Sequence, residues 1–157
     1  MIRRFALACA LAAAIAAPAG AADFYTGFLA AEAEDWATAL KEWVPLAEEG
    51  NAGAQTNLGQ MYARGIGVIE DHAIAAKYHA AAAEQGVEPS MFYMAVALGA
   101  GDGVPVDAIQ AWKWAMLCQK QGDLDIRELI PYLQASMTPE QKAEGQKLAD
   151  AWKPKVN

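Results

Sequence analysis

Cysteine and basic residues are scarce in this sequence, and both shortages limit what the protein can be. The 157 residues include two cysteines, which allow one disulfide at most. Twelve Lys and Arg stand against nineteen Asp and Glu, a formal net charge of −7. Such an acidic excess argues against nucleic acid or an anionic membrane surface as the partner. A basic or neutral protein fits better, although acidity also serves solubility alone.

The chain has one long apolar run, and it lies at the N-terminus. "MIRR" is a basic region, "FALACALAAAIAA" is apolar and "PAGAA" ends in small residues, the order of a secretory signal peptide. We expect residues 1–22 to be removed by cleavage after Ala21 or Ala22. The run is shorter than the roughly 20 apolar residues that span a bilayer, and Cys9 comes too early in it for a lipoprotein signal. The mature protein is therefore predicted to be periplasmic or secreted, with no transmembrane segment.

Removal of the signal leaves residues 23–157, which predict a single domain with a core of its own. Cys118 is then the remaining cysteine, and no internal disulfide can form. In an oxidising compartment such a cysteine is buried, reactive or bridged to another chain. It aligns with Leu46 and Ala82 in the repeat described next, which favours a small core residue.

The chain repeats itself every 36 residues, and this period indicates a solenoid of stacked helix pairs. The aspartates are placed to cap helix N-termini, and the glycines to end helices in a left-handed conformation. We predict repeats at about 24–50, 51–86 and 87–122, and a C-terminal cap at 123–153. The aligned residues are Asp35, Asp71 and Asp107; Ala39, Ala75 and Ala111; and Gly50, Gly86 and Gly122.

Within each repeat a first helix is joined to a second by a loop. Residues 52–64 and 89–100 form the first helices of the second and third repeats, and the Gly-x-Gly sequences at 65–67 and 101–103 form the loops. The first repeat has a shorter opening helix, 24–33, and a loop four residues shorter. After the repeats we predict a helix over 124–136 and a final helix over 139–152, which Thr138 and Gln141 cap.

The stretch "LAEEGNAGAQTNLGQMYARGIGVIEDHAIAAKYHAAAAEQG", residues 46–86, resembles a Sel1-like repeat, a longer relative of the tetratricopeptide repeat. The resemblance extends over 24–123 and is looser in the third repeat. It implies an all-α, right-handed superhelix that acts mostly as an adaptor or scaffold for protein complexes. Some cysteine-rich secreted relatives bind or hydrolyse β-lactams, but their paired cysteines are absent here.

Catalytic and metal-binding patterns are not apparent in the sequence. His72 and His79 are separated by about 10.5 Å along one helix, too far for both to ligate one zinc ion. His79 aligns with Trp43 and Ala115, which predicts a packing role. No Ser-His-Asp or Cys-His arrangement, phosphate loop or metal-ligand cluster is recognisable. We therefore expect that the protein has no enzymatic activity and binds no cofactor or metal ion.

The difference between the second and third repeats identifies a candidate binding surface. The positions of the first helix that we expect to lie outside the core are polar in the second repeat and apolar in the third. Either the C-terminal helices cover this apolar face, or part of it lines the concave groove as an anchor for a partner. The replacements are Gln55 by Met91, Thr56 by Phe92, Asn57 by Tyr93, Gln60 by Val96 and Arg64 by Ala100.

The predicted function is protein or peptide binding through the concave face of an exported, monomeric, non-enzymatic adaptor. Polar contacts are assigned to Asn57, Gln60 and Arg64, and apolar anchors to Phe92, Tyr93 and Val96. The tryptophans at 112 and 114 pose the same choice between core and groove, with core packing favoured for at least one. The alternatives are an enzyme acting on cell-wall or β-lactam substrates, and a small structural subunit of an envelope assembly.

Overall fold

A computed structural model of the chain describes residues 22–122 and 126–155, and this part of the chain is all α-helical. The predicted fold class is confirmed. The predicted signal peptide, residues 1–22, lies outside the described residues except for Ala22. The helices are α1 (Phe24–Glu32), α2 (Trp36–Glu48), α3 (Ala52–Arg64), α4 (His72–Glu84), α5 (Glu88–Ala100), α6 (Ala108–Gln121), α7 (Ile126–Ser136) and α8 (Pro139–Ala151).

The three predicted aspartate caps are formed. A carboxylate oxygen of Asp35 accepts the backbone N–H three residues later at 3.1 Å, Asp71 does so at 2.9 Å and Asp107 at 3.0 Å. Each bond satisfies one of the N–H groups that the first turn of a helix leaves without a partner. The second helix of each repeat therefore begins where the sequence predicts.

The Gly-x-Gly loops end the first helices as expected. Gly65 has φ 63° and Gly101 has φ 77°, the left-handed region that residues with a Cβ rarely adopt. Val68 and Val104, which follow the loops, pack against the two halves of the hydrophobic core. These loops reverse the chain, so that α3 pairs with α4 and α5 with α6.

Small residues let the paired helices approach closely. An added Cβ at Gly59 of α3 would lie 2.7 Å from the His79 ring of α4, and one at Gly27 of α1 would lie 2.5 Å from the Trp43 ring of α2. Trp43 and His79 occupy equivalent positions of successive repeats. The first repeat thus keeps the same contact between glycine and ring although its loop is shorter.

The C-terminal helices close the solenoid on α6. Thr138 and Gln141 form the predicted capping box at the start of α8, and Gly145 lies directly against the Trp112 ring. Trp112 and Trp114 are both buried. Trp114 meets Trp152 edge-on, with ring centroids 6.0 Å apart. The C-terminal cap therefore buries both tryptophans in the core rather than leaving them to a groove.

Cys118 lies in the core of the third repeat, where the sequence places it. It is fully buried, and its Sγ lies 4.0 Å from the carbonyl oxygen of Glu88 at the start of α5. A thiol in this position has no route to a second chain. Among the described helices, none has the length and apolar character that crossing a bilayer requires.

Candidate functional site between α3 and α5

A cavity of about 500 Å³ opens between α3 and α5, with α4 at its base. Five of the six predicted binding residues line it: Gln60 and Arg64 from α3, and Phe92, Tyr93 and Val96 from α5. The sixth, Asn57, lines a neighbouring cavity. The other lining residues are Ala63, His72, His79, Glu88, Pro89 and Asp102. We call this cavity the α3–α5 groove.

The structure divides the apolar face of α5 between the core and the groove. Met91 is fully buried, and its Sδ lies 3.5 Å from the side-chain nitrogen of Gln121 at the end of α6. Phe92 and Tyr93 are half-buried, and Val96 is 36% exposed. Met91 thus belongs to the core, with a contact to α6, and Phe92, Tyr93 and Val96 border an open cavity.

The comparison of repeats predicted that Gln55 and Thr56 lie outside the core. The structure instead buries both side chains between repeats. The Gln55 amide donates to the carbonyl of Ala47 at 3.0 Å and accepts from the Gln85 side chain at 2.8 Å. The Thr56 hydroxyl lies 3.2 Å from that of Ser90. Polar side chains are tolerated inside a protein when such hydrogen bonds are complete, and the partners here lie up to 34 residues away.

His79 forms the floor of the groove and packs as predicted. The side chain is 2% exposed, its Nδ1 lies 3.0 Å from the Ser90 hydroxyl, and its ring stacks on Tyr93 at a centroid distance of 4.1 Å. Burial lowers the pKa of His79 to about 4 because it penalises the charged form. The imidazole is therefore neutral at pH 7.

The contact between Ser90 and His79 was not predicted, since the two residues are eleven apart and on different helices. A serine beside a histidine is half of a nucleophilic arrangement. Here, however, the Ser90 side chain is fully buried and also hydrogen-bonds Thr56. A substrate carbonyl has no path to its hydroxyl, so the pair joins α4 to α5 rather than assembling a nucleophile.

His72 bridges the two Gly-x-Gly loops at one end of the groove. Its Nδ1 lies 2.8 Å from a carboxylate oxygen of Asp102, and its Nε2 lies 3.1 Å from one of Glu70. The bond to Glu70, aided by the charge of Asp102, raises the pKa of His72. The two carboxylates approach opposite ring nitrogens, so they do not converge on a metal position. Elsewhere in residues 22–122 and 126–155, no three His, Cys, Asp or Glu side chains are grouped so that they could hold a metal ion.

Tyr93 contributes a polar atom to the otherwise apolar wall. Its hydroxyl is buried, with no hydrogen-bond partner among the described residues. Burial and the nearby charge of Asp102 raise the pKa of Tyr93, so the hydroxyl remains protonated. A buried donor without a partner costs about 1–3 kcal/mol.

A smaller cavity of about 190 Å³ lies between α1 and α3, and Gln60 lines both this cavity and the α3–α5 groove. Its walls are mostly apolar, and Asn57, Gln60 and Glu32 supply the polar atoms. We call it the α1–α3 cavity. Its remaining lining residues are Phe28, Ala31, Trp36, Trp43, Met61 and Ile66.

Comparison with known proteins assigns the repeats to a family. The Sel1 repeat profile matches residues 52–87 and 89–115. A protective antigen present in uropathogenic Escherichia coli strains, which displays an SLR fold, superposes with a TM-score of 0.70 and 26% sequence identity, over 78% of this chain and 27% of its own. A Sel1 repeat protein from Oxalobacter formigenes gives a TM-score of 0.65 and 22% identity, over 81% of this chain and 54% of its own.

This chain thus spans only about a quarter to a half of the length of these two relatives. No curated protein sequence matches it. The repeat match covers α3 to the middle of α6, the helices that form the α3–α5 groove, and the fold is shared over most of the described residues. The chain therefore contains two Sel1 repeats within an α-helical solenoid fold.

Proposed function

We propose that this protein is an exported, non-enzymatic adaptor that binds a segment of another protein in the α3–α5 groove. The observation that carries the proposal is the convergence of Gln60, Arg64, Phe92, Tyr93 and Val96 on one open cavity. Two helices of successive repeats supply these residues, so the site exists because the repeats stack. The scaffold role that the Sel1 resemblance implies points the same way.

The chemistry of the groove suits recognition of a side chain. Its volume lies within the range of small-ligand pockets, about 300–1,000 Å³. Phe92, Tyr93 and Val96 offer an apolar wall, and Gln60 and Arg64 offer polar contacts at its edge. Aromatic residues in a partly desolvated pocket are typical of the positions that dominate binding energy.

Burial of Cys118 and of the Ser90–His79 pair favours binding over catalysis. Cys118 and Ser90 are fully buried, and His79 is 2% exposed and held neutral. A cell-wall or β-lactam hydrolase would need an accessible nucleophile beside a base within hydrogen-bond reach. Purified protein is accordingly expected to turn over neither nitrocefin nor muropeptides.

The proposal includes export and processing. Residues 1–22 are assigned to a cleaved signal peptide on the strength of their basic, apolar and small-residue regions. The mature chain, 23–157, is then one repeat domain that acts as a monomer. Mass spectrometry of the periplasmic protein tests the cleavage site, and size-exclusion chromatography with light scattering at micromolar concentration tests the monomer.

Site-specific crosslinking in the living cell tests the binding site. A photo-reactive amino acid at position 96, within the groove, should capture a specific protein. The same group at 132, on the exposed face of α7, should not capture it. Replacing Phe92 and Tyr93 together with Ala should abolish the adduct at 96, because the substitutions remove the apolar wall.

The control is Tyr132→Ala, which removes an aromatic ring that is exposed and lies outside the groove. Circular dichroism must show that both variants keep their helix content. A folded Phe92→Ala/Tyr93→Ala variant that still captures the same protein would reject the assignment of the groove. Turnover of either substrate that depends on a groove residue would reject the non-enzymatic role.

A further inference from the structure

The α1–α3 cavity has no part in the function proposed above, yet it adjoins the groove that does. Gln60 lines both, so the two cavities are neighbours across the exposed side of α3. Phe28 of α1, Trp36 at the start of α2 and Ile66 of the first Gly-x-Gly loop form its apolar walls. We infer that both cavities hold one ligand, a cationic peptide segment with two apolar anchors. This inference rests on the proposed function.

The outer face of α1 is the first observation in its favour. Tyr25, Phe28 and Leu29 are 64%, 43% and 51% exposed. A helix face that is turned to water normally carries polar side chains. Here apolar side chains remain exposed, and Phe28 borders the α1–α3 cavity. A partner that enters the cavity would cover Phe28.

The strip of α3 between the cavities is polar and suits a peptide backbone. Asn57, Gln60 and Arg64 are spaced three and four residues apart, and so lie on one side of the helix. The two amide side chains can each donate and accept hydrogen bonds, as a peptide group requires. A segment that crosses α3 would place its backbone over the two amides. Its apolar side chains would then enter the cavities on either side of α3.

Charge determines which segment fits. Three carboxylates line the two cavities, on Glu32, Glu88 and Asp102, and they outnumber the single guanidinium there, that of Arg64. Asp102 is paired with His72, but neither Glu32 nor Glu88 forms an ion pair with another residue in the described part of the chain. Complementary charge across an interface selects the partner and steers its approach. Lysine or arginine beside the apolar anchors would meet these two carboxylates.

Fluorescence anisotropy with synthetic peptides tests the inference on the purified protein. Each labelled peptide carries two leucines separated by two to six serines and flanked by lysines. Matched peptides replace one leucine with serine, or the lysines with glutamates. The best-spaced peptide should bind about tenfold more tightly than its single-leucine form, since one more leucine side chain is buried. It should also bind more tightly than the glutamate form.

Variants of the protein assign each anchor to its cavity. Phe28→Ser should reduce affinity for the two-leucine peptide to that of the single-leucine peptide, and leave the latter unchanged. Phe92→Ser should weaken both, because the larger groove receives the single anchor. Leu29→Ser is the matched control: it lies on the same helix and is exposed, but lines neither cavity.

The outcomes separate this inference from the proposed function. Should no spacing improve on the single-leucine peptide, or should Phe28→Ser have no effect, the second anchor is wrong. Equal binding of the lysine and glutamate peptides would overturn the cationic partner. In either case binding that still depends on Phe92 leaves the proposed function standing. Failure of every peptide to bind would reject both.

Discussion

Acidification should destabilise the protein through the buried His79. In the folded protein its pKa is about 4, against 6.5 for the unperturbed side chain. Below pH 6.5 the unfolded chain therefore takes up a proton at this site that the folded chain refuses until about pH 4. A group with a lowered folded pKa of this kind makes the free energy of unfolding fall as the pH falls between these values.

The two pKa values set the size of the effect. Between pH 7 and pH 5 the protonation of His79 in the unfolded chain should lower the free energy of unfolding by about 2 kcal/mol. His72 acts in the opposite direction, because its pKa is raised and protonation strengthens its contacts with Glu70 and Asp102. The effect of His79 must therefore be measured as a difference between two proteins.

His79→Asn provides this comparison, since an asparagine amide can replace Nδ1 as the partner of Ser90 but does not titrate. Urea denaturation followed by circular dichroism at pH 7 and pH 5 gives the free energy of unfolding for each protein. The stability advantage of the wild type over the variant should shrink by about 2 kcal/mol at the lower pH. An advantage that is the same at both pH values would refute the burial argument.

Should the variant be too unstable for denaturation curves, NMR titration of the wild-type histidine ring protons gives the same information. The His79 resonance should titrate near pH 4, and that of His72 above pH 6.5. A normal pKa for His79 would mean that water reaches the ring. The stacking on Tyr93 and the shape of the groove floor would then be wrong as well.

Three further predictions follow from the packing. Gly59→Ala should lower the free energy of unfolding by about 1–3 kcal/mol, because the new methyl group meets the His79 ring. In the double variant Gly59→Ala/His79→Ala, the loss of stability should be smaller than the sum of the two single losses. The reason is that the third repeat carries alanine at both equivalent positions. Asp107→Ala should cost about 1 kcal/mol through the lost cap of α6, and Asp107→Asn, which keeps an acceptor, much less. Asp102→Asn should lower the pKa of His72 in an NMR titration, and an unchanged pKa would contradict the bridge between the loops.

Thermal and chemical unfolding check the first two of these against a surface control. Tyr132→Ala removes a side chain that is 61% exposed and should change stability by less than about 0.5 kcal/mol. A Gly59→Ala variant as stable as this control would show that α3 and α4 can separate slightly without loss. An Asp107→Ala variant as stable as the control would show that water replaces the cap.

Local features of this fold could be read from the sequence because their causes are local. The Asp107 cap reaches a backbone N–H three residues away, and the left-handed turn at Gly101 is a property of one residue. Such signals fixed the helix ends to within a residue or two. The 36-residue period then gave the pairing of helices, because each cap and turn recurs at the same place in successive repeats.

Which side chains of the first helices are buried depends on contacts between repeats. A local sequence pattern does not reveal these contacts. Gln55 is polar and buried because Gln85, thirty residues later, completes its hydrogen bonds. Met91 and Phe92 are adjacent apolar residues, yet one is sealed in the core and the other borders the groove. The stacking of α3 and α5 around α4 decides which side chains face a neighbour and which face the opening between them. The sequence by itself therefore determined the helices and their repeat, whereas only the tertiary structure decided which polar groups are satisfied inside and which apolar groups remain available to a partner.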